Sequence, residues 1–407
     1  MALWWTQFDF AGTSAERSPR AEEYDSLEGL GYVSGRKKAD DQEGILTHQE
    51  KAVHPGLNLY VSGHGPEANL ITMDGEHVHR WRLSWSEAFP DTDPAQIASK
   101  YEDEDNRGKA AFWRKVHPYP NGDLLAIFSS LGIVKMNKNS DILWKKINKA
   151  HHDLDVGENG KIYLLTRYIK EKTVADKRYP YVDEKVTILS DTGVKSKEFS
   201  LVEALLKSRY SGIVPDLQVQ SGEAFFVGEK LHSNSIDLIR ERHKKLPSVF
   251  RPGNLIISLN KPMNIIVVDP SKEKVVWAMP TMAHAQHEAN LLKNGNILFF
   301  NNNKSGTKKL DWSVVREVDP VTQEVVWSFQ GDESNGMYSR CCSTNQRLPN
   351  GNTLITETED GRAFEVTESG DIVWEFRSPH RVTKDGEKKI AQLFEVERLP
   401  ANYMENW

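Results

Sequence analysis

Residues 313–329 read SVVREVDPVTQEVVWSF, and this stretch decides the fold. Two apolar runs of strand character flank an Asp-Pro turn, which is the pattern of a β-hairpin and not of a helix. Five other segments share the design: ANLITMDGEHVHRWRL (68–83), GIVKMNKNSDILWKKI (132–147), VTILSDTGVKSKEFSL (186–201), NIIVVDPSKEKVVWAM (264–279) and AFEVTESGDIVWEF (363–376). Trp81, Trp144, Trp277, Trp327 and Trp374 read into one slot of these copies, and Lys197 takes it in the third. Five of the eleven tryptophans in one register mark an internal repeat.

A second hairpin precedes each of these, marked by its own turn at Pro55-Gly56, Asn121-Gly122, Asn159-Gly160, Gly253-Asn254, Asn294-Gly295 and Asn350-Gly351. Asn-Gly suits the type I′ turn because both central residues need positive φ. The five intervals from Gly56 to Gly351 average 59 residues, more than a compact blade needs, so the surplus sits in loops. Four strands in each of six repeats predict an all-β fold, a six-bladed β-propeller. The repeat never breaks into a linker. Residues 53–407 are therefore expected to form one propeller, with AQLFEVERLPANYMENW at the C-terminus adding a strand that closes the ring. Residues 1–52 are read as a short, partly helical N-terminal arm packed on its surface.

Composition removes several function classes. A net charge of −6 with only short basic stretches gives no nucleic-acid footprint. No window approaches 18 apolar residues, so no membrane span is expected, and the N-terminus does not read as a signal peptide. Cys341 and Cys342 are adjacent, which excludes a disulfide framework and leaves a vicinal disulfide or two thiols.

The histidines carry the chemistry. His287 lies seven residues before Asn294, and His152 seven before Asn159, so each begins the innermost strand of its blade. His232 opens HSNSIDLI in the fourth repeat, and Ser343 holds the place in the sixth. Three imidazoles are thus expected at one mouth of the axis, with Asp153 and Glu288 beside two of them to orient the rings. Loops on the same face add His64, Glu67, Arg167, Asn260, Lys261, Tyr338 and Arg340. The charged segment 168–185 is read as a lid or a solvated loop. His48, His54, His77, His79, His117, His243, His284 and His380 fall off the register and are read as surface or turn residues. Such a cluster suits a nucleophilic histidine carrying a transferable group, acid–base work near neutral pH, or a transition metal (Fe, Cu or Zn) held by His152, His232, His287 and His64. A propeller that binds a ligand and catalyses nothing is the third reading.

From HPGLNLYVSG to GDIVWEF the chain resembles the arylsulfotransferase family, through HHDLD, HSNSID, QHEANLLKNGNILFF and QRLPNGNTLITETEDGRAFEVTESGDIVWEF. The resemblance implies a six-bladed propeller that moves a sulfuryl group from an aryl sulfate ester to a phenol, without a nucleotide donor or a cofactor, in a ping-pong cycle through a sulfated histidine. It implies His287 as nucleophile, with His152 and His232 holding the sulfuryl oxygens and assisting the leaving phenol. His151, Asn234, Asn260, Lys261, Arg167, Tyr338, Arg340 and His64 are its substrate-side candidates. It also implies small-molecule partners and a periplasmic location, and leaves a homo-oligomer open. One departure stands out. The family carries an arginine just after the second strand of the HSNS blade, whereas this chain reads LIISLNKPMNI, with Asn260 and Lys261 there and Arg167 or Arg340 as the replacements.

Overall fold

The computed structural model describes residues 37–407 apart from 98–108, 216–217, 221–222, 226, 242–245, 282–284, 304–311, 332, 334–335 and 385. Six antiparallel sheets of four or five strands form the expected six-bladed propeller. Each strand follows its sequence pattern: the two middle strands of a blade are mainly apolar on both faces because they lie between neighbouring blades, the innermost carries polar residues toward the axis, and the outermost alternates with solvent. The reading of residues 1–36 as partly helical lies outside the described residues. Residues Gly44–His48 pair with Ile372–Arg377 as a fifth, outermost strand of blade 6.

Blades 2 to 6 are continuous in sequence, beginning with inner strands Lys115–Pro118, Ala150–Val156, Ser233–Leu238, Gln286–Leu291 and Thr344–Arg347. Blade 1 is assembled from both ends of the chain. Its inner strand is Leu393–Leu399, paired with Leu57–Ser62, followed by Glu67–Ile71 and His77–Arg82. The tail closes the ring as its sequence suggests, and Pro55-Gly56 is a junction instead of the hairpin turn it was read as. Segment 168–185 is not an irregular loop but part of a long hairpin: strands Ile162–Val174 and Lys177–Leu189 stay paired along their full length and turn at Ala175-Asp176, both at positive φ.

The tryptophan slot proves to be a buckle between blades. In each outer strand one residue is skipped in the pairing, and in every blade but the fourth the residue after it reaches the turn of the next blade. Trp144, Trp327 and Trp374 donate their indole N–H to the carbonyls of Asp191, Glu368 and Met73 at 2.8, 2.9 and 2.9 Å. Lys197 reaches Glu273 at 3.1 Å. Blade 1 corrects the register: the slot belongs to His79, which bonds the Lys138 carbonyl at 2.8 Å. Trp81 is two residues later, fully buried, with its N–H on the carbonyl of Gly122.

The closing seam is also locked by charge. Arg398, on the closing strand, meets Glu365 of blade 6 at 2.9 Å, and neither side chain is exposed. Glu365 accepts from the amide of His54 and from Asn352, while Arg398 also donates to Asn58. Removing one partner of such a pair leaves an uncompensated buried charge. Glu365→Ala should therefore lower unfolding stability by about 3–5 kcal/mol. A urea midpoint within about 1 kcal/mol of wild type, at unchanged slope, would contradict this role of the seam.

Candidate active site

Register along the inner strands settles which residues face one another. Asp153 accepts the amide of Ile236, and Ser235 accepts that of Ala289, so Leu154, Ile236 and Ala289 are equivalent. Two residues before each stand His152, Asn234 and His287. His232 is off this position. The strand-opening pairs Ala150↔Thr166, Ser233↔Leu259 and Gln286↔Asn301 are equivalent, so His232 matches Lys149 and Ala285. All three of those residues have φ between 49° and 63°. Blade 3 holds one residue more in its bulge than blades 4 and 5, and the lengthened turn of blade 4 removes the seven-residue count that would have exposed the mismatch of His232.

The imidazoles converge nonetheless. His152 lies edge-on to both His151 and His232, with ring centroids 5.0 Å apart in each case. The Nδ1 atoms of His151 and His152 are 2.8 Å apart, so one donates to the other. His287 directs Nδ1 to the carboxamide oxygen of Asn302 at 2.7 Å and to the carbonyl of Ala285 at 3.0 Å. Those two acceptors place the proton on Nδ1, and Nε2 therefore presents a lone pair, which accepts the Cys342 amide at 3.2 Å. Cys342 is buried and is not joined to Cys341 in a disulfide.

The expected orienting acids do not touch the rings. Asp153 and Glu288 pair instead with Lys115, at 3.2 and 3.8 Å, as does Glu395 at 2.5 Å. This charge cluster lines an axial cavity of about 350 Å³ bounded by the inner strands of all six blades. The partner of His232 is Glu229, three residues upstream. Its carboxylate takes His232 Nδ1 at 3.0 Å, Lys261 Nζ at 2.6 Å and Arg167 Nη1 at 3.5 Å. A short acid beside a charged segment is a weak signal in sequence, and Glu229 was passed over. Glu184 lies behind it, receiving the amide of Ser233, and burial beside Glu229 lifts its carboxyl to about 7.

A further residue was legible and missed. Arg114 stands seven residues before Asn121, the same count that marks His152 and His287. It is buried above the ring of Phe394 at 5.1 Å, and its charge bears on both His152 and His287. Arg167 supplies a second cation. It lies within the second strand of blade 3, five residues after Ile162, the place that Asn260 takes after Leu255 in blade 4 and Asn302 after Ile297 in blade 5. An arginine thus holds this place one blade ahead of where the family has it.

The remaining candidates divide. Asn234 is buried and donates to the carbonyl of Gln286 at 2.7 Å, and Asn260 bonds the backbone of His232. Tyr338 is half-buried, with its amide on Glu357, whereas Arg340 is exposed. His64 does not join the metal-type quartet proposed with His152, His232 and His287. It stacks on His380 beside Glu67, and these three are the one trio of metal-ligating side chains among the described residues whose donor atoms all lie within 4.8 Å of each other. His380 and His117 are consequently not the bystanders that their register suggested. His117 lines the axial cavity, where burial lowers its pKa to about 4.

Burial pushes the pKa of His287 down to about 3 and that of His152 well below the ordinary value, with the nearby cations adding to the effect. Both rings are neutral at pH 7 and available as nucleophile or hydrogen-bonding base.

The family model described as Arylsulfotransferase (ASST) matches residues 119–379, more than half of the chain. No curated protein matches it. Among solved structures it is similar to a protein of unknown function from Bacteroides caccae, at 13% identity and TM-score 0.47, covering 79% of this chain and 94% of that one. It is also similar to the WD40 β-propeller domain of Doa1, at 11% identity and TM-score 0.45, covering 90% and 97%. A third is virginiamycin B lyase from Staphylococcus aureus, at 12% identity and TM-score 0.43, covering 89% and 98%.

The lowered pKa of His287 carries a sign. Between pH 6.5 and about 3 the unfolded chain takes up a proton that the native site refuses, so this residue's contribution to stability is intact above pH 6.5 and is lost as pH falls. At pH 5 the loss is about 2 kcal/mol. His287→Gln should flatten the fall in unfolding free energy between pH 6.5 and 5 by that amount, measured by denaturant titration at each pH.

Proposed function

The chain belongs to the arylsulfotransferase family, and we propose that it moves a sulfuryl group from an aryl sulfate to a phenolic acceptor through a sulfated His287. The observation that carries this reading is the tautomer of His287. Asn302 and the Ala285 carbonyl hold the proton on Nδ1, which leaves Nε2 as the nucleophilic atom at the head of the axis.

In the first half-reaction Nε2 attacks sulfur, the N–S bond forms and the S–O bond to the aryl group breaks. His232, as imidazolium stabilised by Glu229, gives its proton to the departing phenolate oxygen. His287 keeps its Nδ1 proton, so the N-sulfo ring is cationic and a good leaving group. In the second half-reaction His232 takes the proton of the acceptor phenol, the phenol oxygen attacks sulfur, and the N–S bond breaks. Negative charge on the sulfuryl oxygens is met by Arg114, by His152 and by the Cys342 amide, which moves from Nε2 onto an oxygen once Nε2 is bonded. Arg167 and Lys261 act through Glu229, holding it ionised beneath His232.

Incubation with 4-nitrophenyl sulfate and phenol should release nitrophenol in wild type, and trapping without acceptor should leave one sulfuryl group on the peptide that contains His287. Nitrophenol release by His287→Ala at the wild-type rate would refute the assignment. Arg114→Ala should lower kcat by roughly 10²–10³ if that guanidinium meets the transferring group. Glu229→Gln should depress nitrophenol release and move the alkaline limb of its pH profile to lower pH, because it reduces the proton affinity of His232, whereas a purely structural role would lower turnover without moving the profile.

A further inference from the structure

Away from the transfer site, we propose that His64, Glu67 and His380 bind a divalent transition metal, zinc by ligand type, that staples the closing seam of the propeller. The three residues come from both sides of that seam. His64 follows the second strand of blade 1, Glu67 opens its third strand, and His380 lies in the connection from blade 6 to the closing strand. His64 and His380 lie face to face, with ring planes within 4° and centroids 3.3 Å apart, so the two imidazoles are already side by side. The donor atoms of His64, Glu67 and His380 all lie within 4.8 Å of one another, close enough for one ion to draw them together.

The supporting contacts are those a metal site needs. A ligating histidine is normally fixed by a hydrogen bond at its other nitrogen. His64 Nδ1 is held by Ser62 Oγ at 2.5 Å, which turns Nε2 toward Glu67 Oε1 at 2.9 Å. His380 Nε2 is held by the Tyr60 hydroxyl at 3.1 Å, which leaves Nδ1 as its ligating nitrogen. Glu67 is steadied by Asn69 at 3.1 Å. His64 and Glu67 side chains are 15% and 11% exposed, so an ion can enter and keep a water at the fourth position. Two imidazoles and one carboxylate favour zinc over magnesium or calcium, which prefer oxygen ligands. Tyr60 and His380 are 320 residues apart in sequence, so one ion would join the two ends of the ring.

The test is zinc titrated calorimetrically into the chelator-stripped full-length protein, with cobalt absorbance as a second readout. Wild type should bind one saturable equivalent and melt at higher temperature with zinc than without. His64→Ala and His380→Gln, with circular dichroism confirming the fold, should lose that binding. Tyr60→Phe should weaken it roughly tenfold by releasing His380. His287→Ala should bind zinc as wild type does. The proposal is overturned if wild type shows no saturable site, or if binding survives in the His64 and His380 variants or disappears in His287→Ala.

Discussion

Everything in this molecule depends on the pairing of Leu393–Leu399 with Leu57–Ser62, between the two ends of the chain. A propeller left open would expose the edges of its first and last blades, and sheet edges are templates for association. Closure here does more than cover an edge. Phe394 lies beneath Arg114, and Glu395 completes the set of carboxylates around Lys115, so the last strand to be made supplies part of the axis on which the histidines converge. The site cannot be assembled before the ring is shut.

Much of the fold was legible because a repeat repeats its mistakes and its rules alike. The Asn-Gly turns and the tryptophans announced six similar units, and the length of the tail announced the closing strand. What was not legible was register. His79 occupies the place that Trp81 was given, because a skipped residue in the outer strand shifts the slot without changing composition. His232 was counted with His152 and His287, although it precedes the strand-opening pair of its blade and they follow theirs. Partners supplied through space, such as Asn302 for His287 and Glu229 for His232, carry no spacing rule at all. Arg114 is the instructive omission, since the count that found the histidines finds it as well.

Non-glycine residues at positive φ are uncommon, costing about 1–3 kcal/mol each, and of the fifteen among the described residues seven sit at or beside the start of an inner strand: Lys149, His152, His232, Ala285, Glu288, Cys342 and Ser343. Each marks a bulge or entry point at which an inner strand departs from regular pairing, which turns a side chain or an amide inward. The amide of Cys342 reaches His287 Nε2 from such a conformation. The apolar packing between blades, densest along their middle strands, holds these positions in place.

The buckles between blades are chemically unequal, and that inequality has a mechanical meaning. Four joints rest on ring N–H groups donated to backbone carbonyls, which are indifferent to the ionic composition of the medium. The joint from blade 3 to blade 4 rests on Lys197 and Glu273, 32% and 41% exposed, an attraction that dissolved ions screen. His152 and His232 belong to those two blades. Dissolved salt therefore weakens this buckle while leaving the ring N–H bonds of the other four in place, and it does so on the line between the blades that carry the two rings.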